Sequence, residues 1–219
     1  MARHQKTNRR VPKAVKRLIF LAIAGIVIYH SIYIEKLSER NKNEQDAVFN
    51  PQTYVIEFWT ELEKTTENAV GATTLLRLFE SDMSHAVTKY GKTLGVSSNH
   101  SYLLKGEGRV IEIQEETILV RLASETMPAT IAIQTDFIFG NQIRDASGLV
   151  RVSDFPSTME FNAISSQIND IVKTRVLPPI LEKIESGDQL RFVAAATVNE
   201  ESPELDPLSV APIKLEIID

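Results

Sequence analysis

Ser101 to Gln114 reads SYLLKGEGRVIEIQ and Thr117 to Ala123 reads TILVRLA, with Glu115-Glu116 between them. Apolar and polar residues alternate along both runs, the period of a strand with one buried face, and the two acids suit a turn. The stretch predicts a β-hairpin. Gly106 and Gly108, inside the first run, predict a bulge, where glycine permits an unusual backbone.

Downstream, Ala129 to Gln134 (ATIAIQ) is a third predicted strand. Phe137 to Phe139 and Leu149 to Val152 are short strand candidates, with the turn residues Asp145, Ser147 and Gly148 between them. Pro156 opens a helix whose inward stripe is Phe161, Ile164, Ile168, Ile171, Val172 and Val176. Pro178-Pro179 stops it, and Ile180 to Ser186 adds a turn or two. Gln189 to Val198 and Val210 to Ile218 read as closing strands. Upstream, Asn50-Pro51 joins an N-cap residue to proline at the first helical position. Val55, Phe58, Trp59 and Leu62 come next at helical spacing, so Trp59 is expected to be largely buried. A second stripe runs through Ala72, Leu75, Leu76, Phe79, Met83, Ala86, Val87 and Tyr90 to Gly91. It predicts two helices, or one broken near Ser81-Asp82. This order indicates an α+β domain. The expected architecture is a helical pair packed on a small curled antiparallel sheet, or on a barrel of the oligonucleotide/oligosaccharide-binding kind, with one inserted helix.

Charge divides the chain of 219 residues, whose net charge is −5. Residues 1–17 hold seven Lys/Arg and no acid, whereas the chain from Ser38 onward is strongly acidic. An acidic body excludes nucleic acid as its partner, since phosphate binding needs a cationic face. Leu18 to Ile34 (LIFLAIAGIVIYHSIYI) is uncharged over seventeen residues. As a helix it is about 25 Å long, at the short end of what spans a bilayer. Tyr29 and Tyr33 suit the headgroup layer, and the preceding cations place the N-terminus in the cytoplasm. The competing reading is a cleaved signal peptide. Ala22-Ile23-Ala24 has the small-x-small form, but a cut there leaves too short an apolar region. The expectation is a basic cytoplasmic head over 1–17, a transmembrane anchor over 18–34 holding the lipid bilayer, a polar tether over 35–48, and an extracytoplasmic domain over 49–219. The protein would sit in a bacterial inner membrane as a single-pass, periplasm-facing chain.

Chemistry-bearing motifs are few. The chain has no cysteine, which excludes disulfides, a thiolate metal site, a cysteine nucleophile and a lipid-modified N-terminal cysteine. Gly91-Lys92-Thr93 lacks the earlier glycine of a phosphate loop, Ala86 standing in its place, and it ends a helix instead of opening one. His85 and His100 have no metal-ligand spacing, and no serine has a Gly-x-Ser-x-Gly setting. Glu115-Glu116 and Glu200-Glu201 read as solvated loop acids. No catalytic residue, metal site or cofactor is expected. One cluster exceeds the background: Asn141, Gln142, Arg144, Asp145, Arg151 and Asp154 fall within fourteen residues between apolar runs. An Arg fork among carboxylates and amides can order a crossover or hold a polar ligand. The structural role is the expected one, with Arg144 paired to Asp145 or Asp154.

Phe49-Asn50-Pro51 with Tyr54-Val55 and Trp59, Lys89-Tyr90-Gly91, Lys105 to Val110 (KGEGRV), Ile143 to Ala146 (IRDA) and Val152 to Phe155 (VSDF) occur in that order. The ordered set resembles the bacterial family called predicted periplasmic lipoprotein, domain of unknown function 2291, from about Phe49 to the C-terminus. The resemblance implies an exported, membrane-tethered protein encoded beside sugar transporters of the ATP-binding-cassette type, with such a transporter or its binding protein as partner. Many relatives carry a lipid-bearing Cys, which this chain lacks. Relatives also show Gly-Pro before the Arg-Asp segment, where Thr135-Asp136 stands here, and a Gln-containing segment where Ser157-Thr158-Met159 stands. Three functions are expected in turn: a non-catalytic accessory or ligand-binding domain first, then a carboxylate-based hydrolase or lyase on envelope or sugar substrates, then a structural component of an envelope complex.

Overall fold

Asn50 caps the first helix as its sequence dictates: its side-chain oxygen accepts from the backbone N–H groups of Gln52 and Thr53, and Pro51 is the first helical residue. A computed structural model describes residues 49–124, 128–138 and 140–218 of the chain. The expected basic head, anchor and tether lie outside the described residues. Helix α1 spans Pro51–Thr65. The second apolar stripe is two helices, α2 (Ala72–Ser81) and α3 (Met83–Tyr90). Asp82 divides them and caps α3, its carboxylate accepting from His85 N–H. A two-residue strand, β1 (Val70–Gly71), precedes α2.

The predicted hairpin is β2 (Asn99–Ile113) and β3 (Thr117–Leu122). Strand β2 is long enough to serve two barrel partners, and the short β1 also pairs with it, in parallel, at Leu104 and Lys105. Its first part, Asn99 to Arg109, pairs antiparallel with β5 (Gln189–Asn199), and from Gly108 to Ile113 it pairs antiparallel with β3. Strand β4 (Thr130–Gln134) continues from β3, and β6 (Leu208–Ile218) joins β4 to β5. The order β2-β3-β4-β6-β5 returns to β2, so five strands close a barrel. The β4–β6 seam is parallel, which corrects the all-antiparallel expectation. A long insertion between β4 and β5 brings the chain back in the orientation that makes it so.

The bulge lies between Val110 and Glu112, not at the glycines. A Cβ on Gly108 would stand 2.3 Å from the Arg121 carbonyl oxygen, and one on Gly106 would meet the Phe192 ring at 2.7 Å. Both glycines therefore serve close approach where β2 passes from one partner to the other.

Among its described residues the insertion holds three α-helices where one was expected: α4 (Gln142–Ser147), α5 (Thr158–Ile171), which continues as a π-turn over Val172–Val176, and α6 (Pro178–Leu181). Phe137-Ile138 and Leu149 to Val152 are not strands. Asp145 and Ser147, expected in a turn, belong to α4, because Ile143 and Ala146 bury one face of that helix. Gly148, at φ 66°, ends it in the left-handed conformation.

Two cores result. The barrel interior packs Tyr102, Leu104, Ile131, Ile133 and Phe192 with Leu75, Leu76 and Phe79 of α2. A second core lies outside, where α1, α4 and α5 cover the outward residues Ala195, Ala211 and Ile213 of β5 and β6. Trp59 is only half-buried at the edge of that layer, a correction to its expected burial, while Val55, Phe58 and Leu62 carry the contact. Among the described residues no helix is long and apolar enough to cross a membrane.

Candidate functional site

Alternate residues of β2 face outward as Asn99, Ser101 and Leu103, opposite Asn199, Thr197 and Ala195 of β5. Leu103 and Ala195 belong to the outer core. One step further along, the ladder turns polar: the Ser101 and Thr197 hydroxyls are 3.2 Å apart, and the Asn199 amide donates to Asn99 Oδ1 at 3.0 Å. Here the strands emerge from beneath α4 and form one wall of a cleft of about 370 Å³. The start of α4 supplies the other wall, with Gly140, Asn141, Gln142 and Asp145, and Lys92 stands at the edge. Ser101 is 5% exposed. Gln142 Oε1 is buried without a hydrogen-bond partner, so the cleft holds an acceptor that no described residue satisfies.

Arg144 lies beneath this cleft, 3% exposed. Its Nε donates to Asp145 Oδ1 at 2.8 Å, and its Nη1 donates to the Phe161 carbonyl at 3.2 Å and to Asn162 Oδ1 at 3.4 Å. The guanidinium stacks on Phe161, 3.7 Å from the ring centre. Burial raises the Asp145 carboxyl above its ordinary pKa, and the Arg144 hydrogen bond and charge pull it back in part.

The six sequence-selected residues thus divide. Asn141, Gln142 and Asp145 line the cleft, and Arg144 supports it from inside. Arg151 precedes the exposed turn Val152–Asp154 and Asp154 ends it, and Asp154 Oδ2 accepts from the Arg151 backbone N–H at 3.2 Å. Asp154 adds to the burial that raises the Tyr54 hydroxyl pKa. Sequence reasoning missed Asn99, Ser101, Thr197 and Lys92. For the first three the signal was the polar turn taken by the outward positions at the ends of β2 and β5, whereas Lys92, in the loop before β2, carried none.

A second cleft, of about 320 Å³, shares Gly140 and Asn141 with the first and runs along α5. Each cleft carries one carboxylate, Asp145 in the first and Asp170 in the second. His100 is buried between Thr93 Oγ1, which meets its Nδ1, and Glu200, which lies 3.4 Å from its Nε2. Among the described residues no three His, Asp or Glu side chains are placed to hold a metal ion.

The family model for predicted periplasmic lipoproteins (DUF2291) matches residues 22–216. The chain belongs to this family. The match begins upstream of Phe49, where the sequence resemblance started, and an extracytoplasmic location fits the membership. An OB-fold protein of Thermotoga maritima is similar in structure, at 28% identity and a TM-score of 0.70, over 78% of this chain and 99% of that one. Its barrel class agrees with the strand order described above. No curated protein matches the chain. In OB-folds generally the second and third barrel strands form the common binding face. The cleft of this DUF2291 member lies instead against the first and fourth barrel strands, β2 and β5.

Proposed function

We propose that this protein is a membrane-tethered accessory domain that binds a small neutral polar ligand, a sugar, and works beside a sugar transporter of the ATP-binding-cassette type. The cleft between α4 and the polar ends of β2 and β5 carries this reading. Hydroxyls and amides dominate its lining, one cation (Lys92) balances one carboxylate (Asp145), and the buried Gln142 oxygen awaits a donor. Such a set suits a polyhydroxylated molecule better than a phosphate, which calls for surplus positive charge. A lipid of the bacterial lipoprotein kind is carried on a Cys thiol that the chain lacks, so the apolar run Leu18 to Ile34 is the anchor in this reading.

The test is a titration of the full chain in detergent micelles with single sugars, read by calorimetry and thermal unfolding. A sugar at a hundredfold excess over its Kd should stabilise the fold by about 2.7 kcal/mol. Gln142→Ala should weaken that binding about tenfold. Unchanged affinity in the variant would sink the assignment of this cleft. A reporter that works only in the periplasm, fused after Asp219, should be active, and an active cytoplasmic reporter there would overturn the topology.

A further inference from the structure

The two clefts are alike in composition and joined beneath their shared rim. The second is lined by Asn162, Ser165, Asn169, Asp170 and Lys173 of the helical stretch that begins with α5, and it meets the first at Gly140 and Asn141. Like the first, it combines amides and hydroxyls with one lysine and one carboxylate, so it too is close to neutral. It also repeats the unserved polar atom. Ser165 is 5% exposed, and its hydroxyl is buried with no hydrogen-bond partner. A buried hydroxyl left unpaired is costly, and a ligand hydroxyl reaching into the cleft would satisfy it.

The rim between the clefts is held in place. The Asn169 amide donates to the Gly140 carbonyl at 3.1 Å, tying the rim to α5. Under it runs a chain of hydrogen bonds: Asp145 in the first cleft accepts from Arg144, and Arg144 donates in turn to Asn162 in the second. Arg144 occupies one oxygen of each partner, so Asp145 Oδ2 and the Asn162 NH₂ group remain for a ligand. The same buried guanidinium therefore orients one polar side chain in each cleft.

We infer that the two clefts are adjacent subsites for one ligand, a neutral saccharide of at least two units that crosses the Gly140–Asn141 rim. This inference rests on the sugar reading of the first cleft and extends it by a second unit. None of the described lining residues is aromatic, so recognition is by hydrogen bonding and each unit adds its own set of bonds.

The experiment uses the full chain in detergent micelles and calorimetric titration with glucose, galactose and xylose, and with maltose, cellobiose, lactose and xylobiose. At least one disaccharide should bind ten times or more as tightly as its parent monosaccharide. Ser165→Ala, a small change at a buried site, should reduce that advantage to about twofold while leaving monosaccharide affinity unaltered. Monosaccharide binding with no gain for any disaccharide would overturn the second subsite and leave the first cleft standing. A gain that survives Ser165→Ala would overturn it as well. Binding by none of the seven sugars would overturn both readings.

Discussion

The barrel interior and the helical layer outside it bury side chains by different means. Inside, alternation along five strands turns one apolar face inward, and closure of the sheet brings Tyr102, Ile131 and Phe192 into one cluster. The outer layer assembles α1, α4 and α5, which are distant in sequence, against two strands, and it buries Arg144 against Phe161 among its apolar residues. A closed sheet satisfies its own backbone and needs few polar fixings. Helices laid on a sheet leave gaps at their ends and along their sides, and in this molecule the polar clefts are such gaps, one at the start of α4 and one along α5.

The largest expected effect should break the outer layer. Arg144→Ala leaves a partly buried Asp145 without its partner and strips Phe161 of its stacked cation, which should cost about 3–5 kcal/mol in denaturant unfolding. The double variant Arg144→Met, Asp145→Leu should recover much of that loss, because apolar replacement of a whole buried pair is tolerated better than removal of one half. A double variant as unstable as the single one would show that stacking and the bond to Phe161, not charge compensation, hold α4 down.

Trp59→Ala should cost about 1–2 kcal/mol, less than a fully buried aromatic would, because Trp59 only edges the outer core. Its fluorescence should be that of a partly exposed indole. A loss as large as that of Arg144→Ala would mean that α1 packs more deeply against the layer than its half-buried indole indicates.

Asp145 predicts a smaller, pH-dependent effect. Its folded pKa lies above its ordinary value, so its contribution to stability is fully present in acid and is lost as pH rises through the raised folded value. Asp145→Asn keeps an oxygen for Arg144 and should gain on the wild type over that rise. Parallel stability profiles for the two proteins would refute it.

The smallest change belongs to the barrel. Tyr102 is buried edge-on to Phe79, its hydroxyl has no hydrogen-bond partner, and burial with the Glu200 charge pushes its pKa up to about 12. Tyr102→Phe should therefore be neutral or stabilising by about 0.5–1 kcal/mol in thermal unfolding. A loss greater than 1 kcal/mol would show that the interior depends on a polar fixing after all.

Much of the barrel was legible because strand signals are local. Glu115-Glu116 interrupts an alternating pattern, and Asp82 breaks a helical stripe and caps the helix on its C-terminal side. The β4–β6 seam was not legible, since nothing in Ile131 to Ile133 names Leu208 to Val210 as a parallel partner. Helix α4 escaped notice because its six residues include Asp145 and Ser147, which read as turn chemistry until Ile143 and Ala146 find a surface to cover. The Arg144–Asp145 pair was visible as a cluster. That Arg151 and Asp154 would bond each other instead depended on the turn between them.

The double partnership of β2 also bears on the order in which the protein can be made. The N-terminal end of the hairpin strand is synthesised about ninety residues before β5, which eventually lies against it through eleven residue pairs from Asn99 to Arg109. Until that strand arrives, β2 presents an unpaired edge of backbone donors and acceptors, open to pairing with another chain. Export of such a chain in an extended state would postpone barrel closure until the last strands have crossed. A nascent chain stopped before Gln189 would carry the hairpin but could not complete the barrel, and its open edge would be a natural target for the chaperones that meet exported proteins.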